Sequence, residues 1–385
     1  MPDDVVLPIP NLELPQNLFV LSQPALTHLH DNARTKLLEG IKADQMAPYY
    51  RSVTAAGALP LDAALLESME QANVAELARL EERLEEAKKV EGESDIADAL
   101  QARANYLTQI GDKERALEAQ KLALEKTAGL GSRIDIVLTL VRVGFFFGDF
   151  DIIKAHLDQA EQLIEEGGDW DRRNRLKVYK GLHLLSIRQF KRGGELLLDA
   201  LATFTATELI SYNDFVSYTI IANVLTLKRV DLKKRLISAS EVSQVLPELP
   251  NLAELMRNLY DSHYDKFFVA LATLEQTHLI PSRLLSPHTR FYVREMRILA
   301  YSQLLESYRS LTLDSLARSF GASAEFVDSE LSRFIASGRL HCKIDKVHGV
   351  VETNRPPLKD AQYETVIRQG DILLNSVQRL SKVLY

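Results

Sequence analysis

Apolar residues recur at intervals of three and four over most of this chain, so the pattern predicts a mainly α protein. Val74, Leu77, Leu80, Leu84 and Ala87 form such a stripe on a helix running to about Val90, after a shorter predicted helix over residues 61–73. Glu81, Glu82, Glu85, Glu86, Lys88 and Lys89 lie on its other faces, as on a solvated helix. From Ser94 the stripes come in pairs, predicted over 94–110 with 113–127, 133–147 with 151–166, and 172–188 with 191–204. The first two pairs break at Gly111-Asp112 and Gly148-Asp149. Aligning the second helices brings Lys113, Phe150 and Phe190 into register, 37 and then 40 positions apart. Ala116, Ile153 and Gly193 follow in register, and then Ala123, Ala160 and Ala200, small residues that let paired helices approach closely. That period belongs to a tetratricopeptide-like, right-handed helical-repeat array, whose repeats bury their faces only by stacking.

A different pattern occupies residues 312–353. Leu313, Leu316, Ala317 and Phe320 mark an amphipathic helix capped by Thr312 and stopped by Gly321. Ser323 caps a second helix, with Val327, Leu331, Phe334 and Ile335 on one face and Gly338 at its end. Leu340, Cys342 and Ile344 then alternate with Arg339, His341 and Lys343, which is strand periodicity. A turn through Asp345–Gly349 leads to a second strand, so the whole predicts a winged helix. Its short wing places Val350, Val351 and Glu352 at or near a sheet edge, where a neighbouring chain could add a strand. The fold often reads DNA, but the second helix carries Glu325, Asp328 and Glu330 against Arg333 alone. Phosphate contacts need cations there, so the charges favour docking to protein.

The rest of the chain divides around these two patterns. Pro2, Pro8, Pro10, Pro15 and Pro24 predict a loose arm over residues 1–24, followed by a helix over 25–42. A helix predicted over 288–310, apolar on two neighbouring faces, joins the array to the winged helix. After Pro356-Pro357, Tyr363, Val366, Gly370, Leu373, Val377, Leu380 and Leu384 alternate by three and four, a heptad seam. Glu364, Arg368, Asp371, Arg379 and Lys382 lie off that seam, and its expected cover is a partner helix. The expected domains are an N-terminal arm and helix (1–45), the array (46–205), a helical part (206–310) leading into the winged helix (311–355), and the terminal helix (356–385).

Composition adds limits. At 385 residues the chain exceeds the roughly 250–300 at which a single core stops growing. Its net charge of −7 argues against a general nucleic-acid or anionic-membrane partner. The most apolar run, 134–147, is interrupted by Asp135 and Arg142 and is too short to span a bilayer. The proline-rich start lacks the basic and apolar regions of a signal peptide, so a soluble intracellular chain is expected. The lone cysteine, Cys342, sits at an inward strand position and is read as a small core residue. No catalytic, metal or cofactor constellation is found. His28 and His30 form an H-x-H, but the serine and aspartate of an MPN-type metalloprotease would fall at Leu38 and Ile41. No P-loop, dinucleotide fingerprint or zinc-spaced cysteine set is present. Gly167–Arg175 is either a helix break with compensating charges or a polar docking patch.

Helix pairs running into a winged helix are the layout of PCI domains. The segments IEEGGDWDRRNRLKVYKGL (164–182), FYVREMRILAYSQLLESYRSLTL (291–313) and LSRFIASGRLHCKIDKVHGVVETNRP (331–356) carry the resemblance further. They resemble the PCI-domain subunits of the 26S proteasome regulatory-particle lid, within them the family called regulatory particle non-ATPase subunit seven or non-ATPase regulatory subunit six. The likeness covers residues 46–384, and residues 1–45 match poorly. Gly193-Gly194 stands where the family usually has alanines, which would loosen that helix. The resemblance implies a non-enzymatic scaffold acting in ubiquitin-dependent degradation, without cofactors, in the cytoplasm and nucleus. Its implied partners are other PCI and MPN subunits of a hetero-oligomeric lid, not DNA or membrane. PCI-to-PCI contacts through the winged helix and a terminal helix joining a bundle of subunit tails are likewise implied. A COP9 signalosome PCI subunit has the same layout, and an initiation-factor-type nucleic-acid adaptor is a third reading.

Overall fold

The computed structural model describes residues 6–90, 92–354 and 358–384. The chain divides into two units, one of Met1–Tyr260 with Ala270–Val293, the other of Asp261–Val269 with Arg294–Tyr385.

The first unit is helical. It opens with α1 (Glu13–Ser22), α2 (His30–Ala43), α3 (Ala47–Ala55) and α4 (Ala63–Val90). Three hairpins follow: α5 (Glu93–Gln109) with α6 (Lys113–Lys126), α7 (Leu130–Phe147) with α8 (Phe150–Gly167), and α9 (Trp170–Ser186) with α10 (Phe190–Asp199). The turns are written in the sequence. Gly111 and Gly148 supply φ of +76° and +71°, and the aspartates after them cap the next helix. Asp112 accepts from the Arg115 amide and Asp149 from the Ile152 amide. The aligned small positions Ala123, Ala160 and Ala200 are all fully buried.

Gly193 allows α10 to pack closely on α9, and Gly194 packs against Ala222 and Asn223. A Cβ on Gly193 would stand 3.0 Å from the Gly181 carbonyl oxygen, so the backbones of α9 and α10 meet where a side chain would separate them. The two charges that interrupt the apolar run are also accounted for. Asp135 accepts two hydrogen bonds from Arg172, at 3.0 and 2.5 Å. Arg142 is 1 % exposed and donates to the Leu7 carbonyl at 2.5 Å and the Thr139 hydroxyl at 2.6 Å.

Two expectations for this unit need correction. Residues 1–24 are not all a loose arm, because α1 buries Leu14, Pro15 and Val20, and Leu14 joins Leu37, Ile41, Tyr49, Tyr50 and Phe146 in one core. Pro15 is tolerated because it lies in the first helical turn, where no intrahelical amide donor is required. The short helix and the following one are a single helix, α4. Neither Gly nor Pro interrupts residues 63–90, and Asn73 sits buried at the supposed break, accepting from the Tyr106 hydroxyl at 2.9 Å. Val74, expected on the seam, is exposed.

Beyond the hairpins come α11 (Tyr212–Thr226), α12 (Arg229–Leu232) continued by a π turn over Lys233–Ile237, α13 (Ser240–Val245) and α14 (Pro250–Tyr260). Helices α15 (Tyr264–Leu274) and α16 (Thr289–Ser307) each contribute residues to both units.

The second unit contains the winged helix. Strand β1 (Ser310–Thr312) leads into α17 (Leu313–Phe320) and α18 (Ala324–Ala336), followed by β2 (Cys342–Asp345) and β3 (Val350–Thr353). The Thr312 hydroxyl caps α17 and the Ser323 hydroxyl caps α18, each accepting an amide at 3.2 Å, and Gly321 takes φ +62° between them. Leu316, Phe320, Val327, Leu331, Phe334, Leu340, Cys342 and Val351 are buried, with the Tyr301 ring of α16 tilted against the Phe320 ring at a centroid distance of 4.5 Å. The chain then forms α19 (Leu358–Leu384).

Candidate functional site

The terminal helix α19 is the most unusual surface. Every described side chain from Gln362 to Lys382 is exposed, apolar ones included. Of the predicted seam, Tyr363, Val366, Leu373, Val377 and Leu380 are each more than 60 % exposed. The Leu384 side chain lies outside the described residues, as does the break at Pro356-Pro357. Ile367 and Leu374, also exposed, widen the stripe beyond the heptad positions named from the sequence. A stripe that wide suits packing against more than one helix, whereas a strict two-position seam suits a two-stranded coil. The signal for those two residues was present, since each lies one position after a seam residue.

The wing departs from the sequence reading. The sheet order is β1-β3-β2, so Val350, Val351 and Glu352 lie in the central strand. Val350 pairs with Thr312 and Asp345, Val351 with Leu311 and Ile344, and Glu352 with Ser310 and Lys343. These residues therefore have no open ladder for a partner strand. The expectation failed because Ser310-Leu311-Thr312, three residues before a helix, were too few to show as a strand. The open edges belong to β1 and β2.

The recognition-like helix α18 also differs in charge. Glu330 faces inward, 7 % exposed, paired to Arg297 at 3.0 Å, with its carboxyl pushed up by burial. Asp328 is paired with Lys346 of the wing at 3.0 Å. Glu325, Phe326, Ser329, Ser332 and Arg333 form the exposed face, which is nearly neutral and partly apolar rather than acidic. It still offers one cation where groove docking needs several. Fluorescence anisotropy with duplex DNA at physiological salt should show no submicromolar binding.

The candidate chemical residues do not converge. His28 is exposed and His30 contacts the Gln23 carbonyl at 3.1 Å. Among the described residues no group of three or more His, Cys, Asp or Glu could hold a metal ion. Cys342 is buried, and burial pushes its thiol up, away from the reactive thiolate form. In the 167–175 stretch, Asp169 caps α9, Arg172 joins Asp169 to Asp135, and Arg175 pairs with Asp171 at 2.8 Å. These charges are paired within the fold, while Trp170, 64 % exposed, and Arg173 project. No helix among the described residues is long and apolar enough to cross a membrane.

Comparisons with known proteins bear on both surfaces. The profile of the family described as 26S proteasome subunit RPN7 matches residues 62–235, and that of the PCI domain matches 253–355. A third, described as the 26S proteasome regulatory subunit RPN7/PSMD6 C-terminal helix, matches 362–384. The chain is similar to the 26S proteasome non-ATPase regulatory subunit 6 homolog of Arabidopsis thaliana, 45 % identical over 376 residues and 97 % of each chain. It is 41 % identical to the 26S proteasome non-ATPase regulatory subunit 6 of Dictyostelium discoideum over 99 % of each chain. With the 26S proteasome regulatory subunit RPN7 of Saccharomyces cerevisiae it shares 37 % identity, over 98 % of this chain and 94 % of the other. These alignments take in most of residues 1–45, which the resemblance had left aside. End-to-end likeness at this level, with separate matches to the array, the winged-helix region and the terminal helix, shows that the chain belongs to the RPN7/non-ATPase subunit 6 family of 26S proteasome regulatory subunits.

Proposed function

We propose that this chain is a non-catalytic scaffold of the proteasome regulatory-particle lid, acting in ubiquitin-dependent degradation in the cytoplasm and nucleus. Its partners are the other PCI and MPN subunits of that hetero-oligomeric assembly. The observation that carries the proposal is α19, a 27-residue helix whose apolar stripe has no cover in its own chain among the described residues. Burying apolar surface is the main favourable term in association, and an apolar stripe this long is ordinarily covered.

In this reading the arm and first helices (1–45) and the array (46–205) form a rigid body, the PCI region (206–355) docks to like modules, and the terminal helix (356–385) enters a bundle. Strand addition at the winged helix falls to the open edges of β1 or β2. Val350, Val351 and Glu352 support that sheet from its middle. Tyr363, Val366, Leu373, Val377, Leu380 and Leu384 meet partner helices. The test is reconstitution of the lid from purified subunits with this chain left out. The expected result is a set of smaller subcomplexes on a sizing column, restored to the full assembly by adding the chain back. A complete assembly without it would remove the scaffold role.

A further inference from the structure

The segment Lys228–Arg235 is a basic corner on a chain that is acidic as a whole. Leu232 and Leu236, both buried, pin it to the first unit at i and i+4 spacing. The π turn over Lys233–Ile237, closed by the Ser238 amide on the Lys233 carbonyl at 3.0 Å, turns the residues between those anchors outward. Lys228, Arg229, Lys233, Lys234 and Arg235 are all exposed, with Asp231 as the only carboxylate inside the segment. Arg235 reaches Asp199 at 3.2 Å. Among the described residues no carboxylate lies within ion-pair distance of the other four cations.

Two of those four converge on one ring. The Arg229 guanidinium lies 5.1 Å from the centroid of Tyr260 and the Lys233 ammonium 5.6 Å from the same centroid. Arg229 is further fixed by donating to the Tyr260 carbonyl at 2.6 Å. A neutral ring attracts each cation but does not cancel their mutual repulsion, which a shared external anion would. Beside them Val230 is 77 % exposed, an apolar contact in the middle of the charges.

We infer that Lys228, Arg229, Lys233 and Lys234, around Tyr260 and Val230, form a docking site for an acidic peptide segment of a partner protein. The segment would carry two or three carboxylates within an extended stretch of about 10 Å, three residues at ~3.3 Å each, with one apolar side chain among them. Peptide fits better than nucleic acid for three reasons. The chain's charge of −7 repels a long polyanion. The face of Tyr260 that would stack a base is taken by cations. Val230 also offers a nucleic-acid backbone nothing to bury.

The test is anisotropy of the full chain with a labelled twelve-residue peptide of glutamates around one leucine, and with an all-glutamate peptide of the same length. Binding should appear at low salt, and Lys233→Glu with Lys234→Glu should weaken it at least about tenfold. Lys88→Glu with Lys89→Glu makes the same charge change on an exposed helix face and should have little effect. Val230→Ser should weaken the leucine peptide several-fold and leave the all-glutamate peptide unchanged. An unchanged melting temperature for each variant separates lost docking from lost folding. No binding of either peptide, equal loss in the control pair, or tighter binding of a twelve-nucleotide RNA than of the peptides would overturn the inference.

Discussion

Deleting residues 360–385 should abolish incorporation into the lid while leaving the melting temperature of the isolated chain within about 1 °C of the full-length value. The first half follows from the apolar stripe. Tyr363, Val366, Ile367, Leu373, Leu374, Val377 and Leu380 are exposed, and each offers on the order of 1.5–3 kcal/mol if buried against a partner. Ordering costs take back a good part, yet the remainder is large beside the 1.4 kcal/mol that changes an equilibrium tenfold. The second half follows because no described side chain from Gln362 to Lys382 is buried, so removing them exposes nothing. Leu373→Glu with Val377→Glu should act like the deletion. Arg368→Ala and Arg379→Ala, off the stripe, should assemble normally. Co-sedimentation of tagged variants with the lid reads the first effect and thermal unfolding the second. A truncated chain that unfolds on its own would mean that the helix packs in cis.

Replacing Arg142 by methionine should destabilise the array by about 1–3 kcal/mol. The guanidinium is fully buried between the Leu7 carbonyl and the Thr139 hydroxyl. It also lies close enough to counter the burial that pushes the Tyr179 hydroxyl up. Tyr179 in turn donates to Glu208 at 2.9 Å, and both are buried. Removing the cation leaves the Leu7 carbonyl and the Thr139 hydroxyl without this partner and takes a positive charge away from the buried Tyr179 hydroxyl, and a buried polar group left unpaired costs about 1–3 kcal/mol. The denaturation midpoint should fall accordingly. Limited proteolysis should also cut within residues 6–12, whose anchor is gone. An Arg142→Met chain as stable as wild type would show the network to be an ornament of the packing.

The sequence carried the periodic parts of this fold well and its local exceptions poorly. Hairpin turns at Gly111-Asp112 and Gly148-Asp149 were legible because a left-handed glycine followed by a capping aspartate leaves few alternatives. The caps Thr312 and Ser323 were legible for the same reason. The strand at Ser310–Thr312 was not, since three residues show no period, and missing it put Val350–Glu352 on an edge that is in fact the middle of the sheet. Proline count suggested a loose start because the buried contacts of Leu14 lie across the fold from it, beyond the reach of any local window. Glu330 was counted with the surface charges because inward and outward positions on a short helix are separated by one residue. The terminal stripe was legible because nothing in the chain perturbs it.

The scaffold role is tested most directly by quantitative mass spectrometry of the complex that co-purifies with the tagged full-length chain from cells at physiological salt. The subunits of the proteasome regulatory particle should be recovered at near one-to-one stoichiometry with the chain, and lost together when residues 360–385 are removed. Recovery of the chain alone, or in stoichiometric association with COP9 signalosome subunits, would contradict that role.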